Sequence, residues 1–138
     1  MSGFLLDTNV ISDPARKHPN RGVQSWMQNV DQTSIYISVF TLGEMRTGID
    51  LLSDAKRIGI LEAYGEIIRR RFRERILEFD LRTAERWGRL RASMPTGRTL
   101  PVIDSLLAAT ALHHDLTIVT RNISDFESTG LRVINPFS

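Results

Sequence analysis

Four carboxylates, widely separated in the sequence, are the residues best suited to chemistry. Asp7 closes an apolar run, and Asp125 lies a few residues beyond a later one. Glu44 and Asp104 each lie near the start of a helical pattern. Acids gathered in one crevice repel one another unless they are partly protonated or a cation neutralises them. Carboxylate oxygens favour Mg²⁺ or Mn²⁺ over zinc, and such an ion can activate water for phosphodiester hydrolysis.

Each acid also has a purely structural interpretation. Asp7 and the two polar residues after it, Thr8 and Asn9, belong to types that cap helices. Asp104, in a first helical turn, gains from the helix dipole. Glu44 could be an exposed helix residue, and Asp125 could be a turn residue. Because all four fall at corresponding ends of predicted elements, a shared site is favoured over four separate structural roles.

Short apolar runs alternate with helical patterns along the chain, and these elements must position the acids. The pattern predicts strands at residues 4–6, 34–39, 76–79, 117–120 and 131–134. It predicts helices shortly after the first strand and over residues 23–30, 42–52, 58–75, 84–94 and 101–114. This alternation is typical of a three-layer α/β/α fold, in which helices cover both faces of a central, mostly parallel sheet of four to five strands. Ligands of such sheets bind beyond the carboxyl ends of the strands, where the strand order reverses, and the four acids are expected there.

The composition excludes several classes of protein. The 138 residues include no cysteine, which removes disulfide scaffolds, thiol nucleophiles and cysteine-type zinc sites. No apolar run approaches the ~20 residues of a membrane span, and the amino terminus lacks the pattern of a secretion signal. We therefore expect one domain over residues 1–138, no membrane insertion and a cytoplasmic location. A net charge of +2 with a pI near 9.5 is a mild indication of nucleic-acid binding.

The densest basic run, residues 69–75, could contact RNA phosphates without reading sequence. Alternatively, its arginines form an exposed helix face, paired for example as Glu66 with Arg70, while Phe72 packs inward. The second interpretation is favoured for this run. Three other arginines lie nearer the predicted crevice and are better candidates for holding a substrate phosphate: Arg46, Arg98 and Arg121.

Four sequence segments occur in a specific order: LDTNVIS begins at Leu6, GEMRTG at Gly43, IDSLLAATA at Ile103 and VTRN at Val119. The segment VINPF follows at residues 133–137. In this order the segments resemble those of PIN-domain ribonucleases, and more narrowly the VapC/FitB branch, the toxin components of bacterial type II toxin–antitoxin pairs. The resemblance covers essentially the whole chain. It implies endonucleolytic cleavage of RNA that depends on Mg²⁺ or Mn²⁺.

The resemblance also implies a role for each matching site residue. Three acids match positions that hold the metal: Asp7, Glu44 and Asp104. Relatives differ in where the fourth acid lies, so Asp125 is taken as the fourth ligand and Asn122 as its support. Three polar residues match positions that hydrogen-bond the first acid or the metal-bound water: Thr8, Asn9 and Thr120.

Partners follow from the same resemblance. Such toxins are usually held inactive by a small DNA-binding antitoxin of the VapB/FitA kind, whose tail lies across the toxin groove and can insert an arginine among the acids. The pair is expected to assemble further on operator DNA. A homodimer is also expected, and the stripe of Met45, Ile49 and Leu52 is a candidate contact. Packing of that stripe against the core is favoured for most of its side chains.

Three other functions compete with this one. An aspartyl phosphotransferase of the haloacid-dehalogenase kind expects a second acid two residues after the first, where this chain has Asn9. A phospho-receiver module needs a lysine after a late strand, but the only lysines are Lys17 and Lys56. A PIN-like domain that binds RNA without catalysis is disfavoured by the intact acids.

Overall fold

Adjacent residues of the central strands point to opposite faces of one sheet in the computed structural model, which describes residues 3–95 and 100–138. Leu5 packs in the core cluster on one face and Leu6 in the cluster on the other, and Ile118 and Val119 divide in the same way. Because successive side chains of a strand alternate, each strand supplies both clusters. The continuous apolar runs in the sequence therefore belong to strands that are covered on both faces.

The five strands form one sheet in which each neighbouring pair is parallel. They are β1 (Phe4–Leu6), β2 (Ile35–Ser38), β3 (Ile76–Leu77), β4 (Thr117–Val119) and β5 (Val133–Ile134). Their order across the sheet is β3-β2-β1-β4-β5. The chain builds outward from β1 to β3 and then returns to β4 on the other side of β1, so the strand order reverses between β1 and β4. The predicted fold class is confirmed.

Helices cover the two faces. They are α1 (Thr8–Ile11), α2 (Arg21–Asn29), α3 (Val39–Asp50), α4 (Ala55–Arg71), α5 (Leu81–Ser93) and α6 (Val102–His113). Helices α1, α2 and α4 contribute buried residues to the cluster that contains Leu6, and helices α5 and α6 contribute to the cluster that contains Leu5. Within the described residues, none of the helices has the length and apolar character that crossing a membrane requires.

Side-chain caps set the helix boundaries more closely than apolar periodicity does. Helix α5 begins earlier than the pattern predicts because Asp80 accepts hydrogen bonds from the backbone N–H and the hydroxyl of Thr83, at 2.9 and 2.8 Å. Helix α4 ends at Arg71 rather than at residue 75, and the residue after it, Phe72, is fully buried. The prediction that Phe72 packs inward is thus confirmed.

The basic run at residues 69–75 lies at the amino end of β2, away from the carboxyl ends of the strands. Arg75 donates to the backbone carbonyl of Ile35 at 2.8 Å, and Arg71 donates to the side chain of Gln32. Glu66 pairs with Arg69 rather than with the predicted Arg70, which corrects that detail. Two of these arginines therefore fasten the end of α4 to the start of β2.

One segment that the sequence presents as a turn is a 3-10 helix, Ile123–Thr129, which joins β4 to β5. Phe126 is fully buried in the same cluster as Leu107 and Ala108 of α6, whereas Ile123 is 42% exposed. Gly130 ends the segment with φ 79°, a left-handed conformation that glycine adopts without strain. The buried ring anchors the segment that carries Asp125.

Truncating this anchor should destabilise the protein strongly. We expect Phe126→Ala to lower the free energy of unfolding by about 3–5 kcal/mol, since it removes a fully buried ring and leaves a cavity. Ile123→Ala, in the same segment, should cost about 1 kcal/mol or less because its side chain is partly in water. Urea unfolding followed by circular dichroism measures both, and equal losses would contradict the anchoring role.

Candidate active site

Asp7 lies where β1 ends, beside β4, and its side chain is almost fully buried. Its backbone N–H donates to the carbonyl of Val119 at 2.9 Å. One carboxylate oxygen accepts the backbone N–H of Thr8 at 2.7 Å, so Asp7 also caps α1. The other oxygen accepts the Thr120 hydroxyl at 2.7 Å and the Asn9 side-chain amide at 3.3 Å. The capping and site interpretations of Asp7 are therefore compatible.

Thr120 is the buried centre of a polar network that joins the ends of β1 and β4. Its hydroxyl donates to Asp7 and accepts the backbone N–H of Asn122 at 3.0 Å. The side-chain nitrogen of Asn9 lies 3.4 Å from the same hydroxyl, and the side-chain oxygen of Asn9 accepts the backbone N–H of Arg121 at 3.2 Å. The side chain of Asn122 does not cap the 3-10 segment that follows it. Three of the four predicted supporting residues thus contact Asp7 directly: Thr8, Asn9 and Thr120.

Glu44 lies in the second turn of α3, which begins immediately after β2. The Thr8 hydroxyl donates to a carboxylate oxygen of Glu44, and it also lies 3.4 Å from the hydroxyl of Thr41. Thr8 therefore bridges Asp7, through its backbone, and Glu44, through its side chain. Thr41 is a fully buried member of this network that sequence reasoning missed, because a threonine inside a helix carries no distinguishing signal.

Asp104 occupies the first turn of α6 and is half-buried. Burial raises the pKa of its carboxyl, and the charges of Asp7 and Asp125, a hydrogen bond with Asp125 and the charge of Glu44 raise it further, to about 7. Burial likewise raises the pKa of Asp7, and the charge of Asp125 adds to that effect, while hydrogen bonds to Asp7 lower it. The structure therefore brings the four predicted acids within electrostatic reach of one another.

The donor chemistry of this cleft suits a hard divalent cation. All four acids offer carboxylate oxygens, and their mutual repulsion is the condition that a cation relieves. Over residues 3–95 and 100–138, no three Asp, Glu or His side chains are grouped closely enough to hold an ion as they stand. The interaction of Asp104 with Asp125 instead favours the protonated form of Asp104. Protonation of a carboxylate and binding of a cation are thus alternative ways to reduce the repulsion among these acids.

The predicted phosphate-binding arginines have different surroundings. Arg46 donates to Asp50 at 2.6 and 3.0 Å and to Glu62 at 3.2 Å, so it joins α3 to α4 on the surface. The guanidinium carbon of Arg121 lies 4.1 Å from the centroid of the Phe137 ring. The third arginine, Arg98, lies outside the described residues. Phe137 belongs to the VINPF segment, but nothing in that pattern assigns it this contact.

A groove of about 340 Å³ opens beside Glu44, between α1, α3 and α4. The stripe of Met45, Ile49 and Leu52 lines it, together with Tyr64. Ile49 is buried and Met45 packs against the core, whereas Leu52 is exposed. The favoured core-packing interpretation therefore holds for two of the three side chains.

Comparisons with known proteins agree with this architecture. The sequence matches the PIN domain family over residues 4–130. The toxin FitB of Neisseria gonorrhoeae is 37% identical over 136 residues, covering 97% of this chain and 98% of that protein. The VapC ribonuclease Y4jK of Sinorhizobium fredii is 35% identical over 137 residues, covering 97% of each.

A solved structure described as FitAB bound to the IR36 DNA fragment has a TM-score of 0.90 to this chain. Its sequence is 36% identical, and the match covers 98% of this chain and 96% of that one. Fold and sequence thus agree over almost the entire length, and this chain belongs to the PIN-domain family.

Proposed function

We propose that this protein is an endoribonuclease that depends on Mg²⁺ or Mn²⁺ and acts as the toxin of a type II toxin–antitoxin pair, with residues 1–138 forming one PIN domain. The observation that carries the proposal is the electrostatic coupling of the four acids at the reversal of strand order. The names of the relatives, a toxin and a VapC ribonuclease, support RNA as the substrate.

Four carboxylates would hold the metal: Asp7, Glu44, Asp104 and Asp125. When bound, the metal supplies charge neutralisation for the phosphodiester and an activated water for hydrolysis. Asp7 contributes a fixed orientation, because Thr120 and Asn9 hold one of its oxygens while the Thr8 backbone holds the other. The roles of Thr8, Asn9 and Thr120 are therefore to keep a buried carboxylate ionised and aimed into the cleft.

The partner proposal rests on the apolar groove beside Glu44. We propose that the tail of a VapB/FitA-like antitoxin occupies it, with a basic residue reaching the acids, and that the complex assembles on operator DNA. The groove suits an amphipathic segment, because Ile49 and Leu52 supply an apolar wall that ends at a carboxylate. We further propose a homodimer and a cytoplasmic location, as expected from the sequence.

Neutralising Asp104 should abolish cleavage without loss of the fold. We expect Asp104→Asn to lower the rate of RNA cleavage in Mn²⁺ by at least about 100-fold, because it removes a carboxylate that would hold the metal and so weakens the positive charge that the metal would supply. The assay is cleavage of total cellular RNA by purified protein, with Mn²⁺ or with EDTA. Glu74→Gln, an exposed acid at the far end of β3, is the matched control and should cleave at the wild-type rate. Wild-type cleavage by Asp104→Asn, or undiminished cleavage in EDTA, would refute the site.

The contribution of Asp104 to stability should fall as the pH rises, in the absence of metal. The pKa of Asp104 is about 7 in the folded protein against 3.8 as its ordinary value, so the folded state keeps a proton that the unfolded state loses between these values. The contribution of Asp104 to the free energy of unfolding therefore declines from about pH 4 to pH 7. At pH 8 in EDTA, Asp104→Asn should raise the free energy of unfolding by about 1–2 kcal/mol, a value reduced because the half-exposed carboxyl is screened by water.

Metal should reverse this trend. Because the ionised form of Asp104 would hold the metal, Mn²⁺ should raise the melting temperature of the wild-type protein more at pH 8 than at pH 5. The same titration should have a smaller effect on Asp104→Asn. Thermal unfolding at both pH values measures the two effects, and a melting temperature insensitive to Mn²⁺ at pH 8 would argue against a metal site.

Filling the groove should block the antitoxin. Gly48 lines the groove, and a Cβ atom there would meet nothing within 4 Å, so Gly48→Phe introduces a bulky side chain at the groove without a clash at its Cβ. We expect this variant to bind the cognate antitoxin at least about tenfold more weakly, since the ring occupies the space of an anchor side chain. Gly59→Phe, equally unobstructed but outside the groove lining, is the control. Equal affinity of both variants in titration calorimetry would place the antitoxin elsewhere.

A further inference from the structure

Residues 135–138 leave β5 and pack against the start of α2. The hydroxyl of Ser138 accepts the backbone N–H of Gly22 at 3.1 Å, and the backbone N–H of Ser138 donates to the side chain of Asn20 at 3.1 Å. The Asn20 amide in turn donates to the carbonyl of Ser138 at 3.2 Å. Between these contacts and β5, Phe137 packs against the core cluster that α2 shares. The segment is thus held at both ends.

The approach of this segment to α2 depends on a glycine. A Cβ atom at Gly22 would lie 2.3 Å from the carbonyl oxygen of Pro136 and 2.7 Å from the backbone nitrogen of Ser138. Both are backbone atoms, which cannot rotate out of the way, so any larger residue at position 22 must displace the segment. The position of the Phe137 ring is therefore fixed by backbone contacts on both sides of it.

Arg121 extends over that ring from the end of β4. Its guanidinium carbon lies 4.1 Å from the ring centroid, within the range of a cation–π contact. The Arg121 backbone is tied to Asn9, which itself contacts Asp7, so the residue stands at the rim of the acid cleft. No carboxylate of the described residues forms an ion pair with Arg121, although four acids lie in the adjoining cleft.

We propose that Phe137 is a positioning residue, which holds the guanidinium of Arg121 at the rim of the cleft to receive a phosphate of the RNA backbone. The inference rests on the proposed ribonuclease function and deepens it. The contact of the Arg121 guanidinium carbon with the ring occupies no N–H donor with a carboxylate, and guanidinium donors match a phosphate in a bidentate manner. Ordering the side chain before RNA arrives lowers the entropy cost of binding. The Phe137 ring also competes with the acids of the cleft for the guanidinium of Arg121.

The test separates RNA binding from chemistry. Phe137→Leu should raise KM for a short single-stranded RNA in Mn²⁺ by about two- to fivefold, the range expected for an exposed cation–π contact, and leave kcat within about twofold. Affinity for the same RNA, measured in EDTA so that binding occurs without cleavage, should weaken by the same factor. Phe137→Tyr keeps the ring face and should retain wild-type values. Arg121→Gln should weaken binding and reduce the salt slope of log Kd by about 0.7, the value for one lost phosphate contact on a single strand.

Coupling between the two residues decides the mechanism. If Phe137 acts through Arg121, the variant Phe137→Leu/Arg121→Gln binds RNA no more weakly than Arg121→Gln alone. Gly22→Ala, which displaces the segment and the ring that it carries without changing the chemistry of the ring, should act in the direction of Phe137→Leu. Phe4→Leu is the matched control: Phe4 packs on the same core cluster at the opposite end of β1.

The outcomes separate this inference from the function on which it rests. Additive losses in the double variant, or wild-type KM and affinity in Phe137→Leu alongside an active wild-type protein, would overturn the positioning role alone. A wild-type protein that neither binds nor cleaves RNA would overturn the proposed function and this inference with it. Because Arg121→Gln leaves the ring and its segment intact, its salt slope remains informative even if Phe137→Leu fails to fold.

Discussion

The burial of the Asp7 carboxylate, between β1 and β4 where the strand order reverses, governs how the rest of the cleft is built. Removing an ionised group from water is costly unless hydrogen bonds replace the lost hydration. Asp7 receives three such bonds, from the Thr8 backbone, the Thr120 hydroxyl and the Asn9 amide. Two of these donors come from the start of α1, directly after β1, and one from the end of β4, so the pairing of β1 with β4 is what makes a buried Asp7 possible.

The convergence of the acids could be predicted from the sequence because it follows from topology. An acid directly after an apolar strand must lie at the carboxyl edge of a parallel sheet, as Asp7 does, and Asp125 follows β4 by a short segment. The hydrogen bond between Asp104 and Asp125 could not be predicted in this way. It depends on a 3-10 segment whose position is set by the buried ring of Phe126, and a short polar segment with one aromatic residue reads equally well as a turn.

Side-chain partners across elements were the least predictable feature. Arg46 is close to Glu44 in sequence, yet its donors are taken by Asp50 on the same helix and by Glu62 on α4. The packing of α3 against α4 decides that contact, and periodicity within either helix carries no information about it. The stacking of Arg121 on Phe137 is of the same kind, since it joins two residues whose strands become neighbours only in the folded sheet.

The contacts of Arg46 and Arg121 leave the negative charge of the cleft uncompensated by either residue. Arg46 is neutralised on the surface and Arg121 is held on an aromatic ring, so among the described residues neither cation near the cleft compensates its acids. Burial raises the pKa values of Asp7 and Asp104, and repulsion from the neighbouring acids adds to both shifts. A cleft in this state attracts any cation that can enter it, whether a divalent metal or a basic side chain of a partner protein. Because both would neutralise the same carboxylates, a bound metal and an inserted basic residue would each weaken the electrostatic attraction of the cleft for the other.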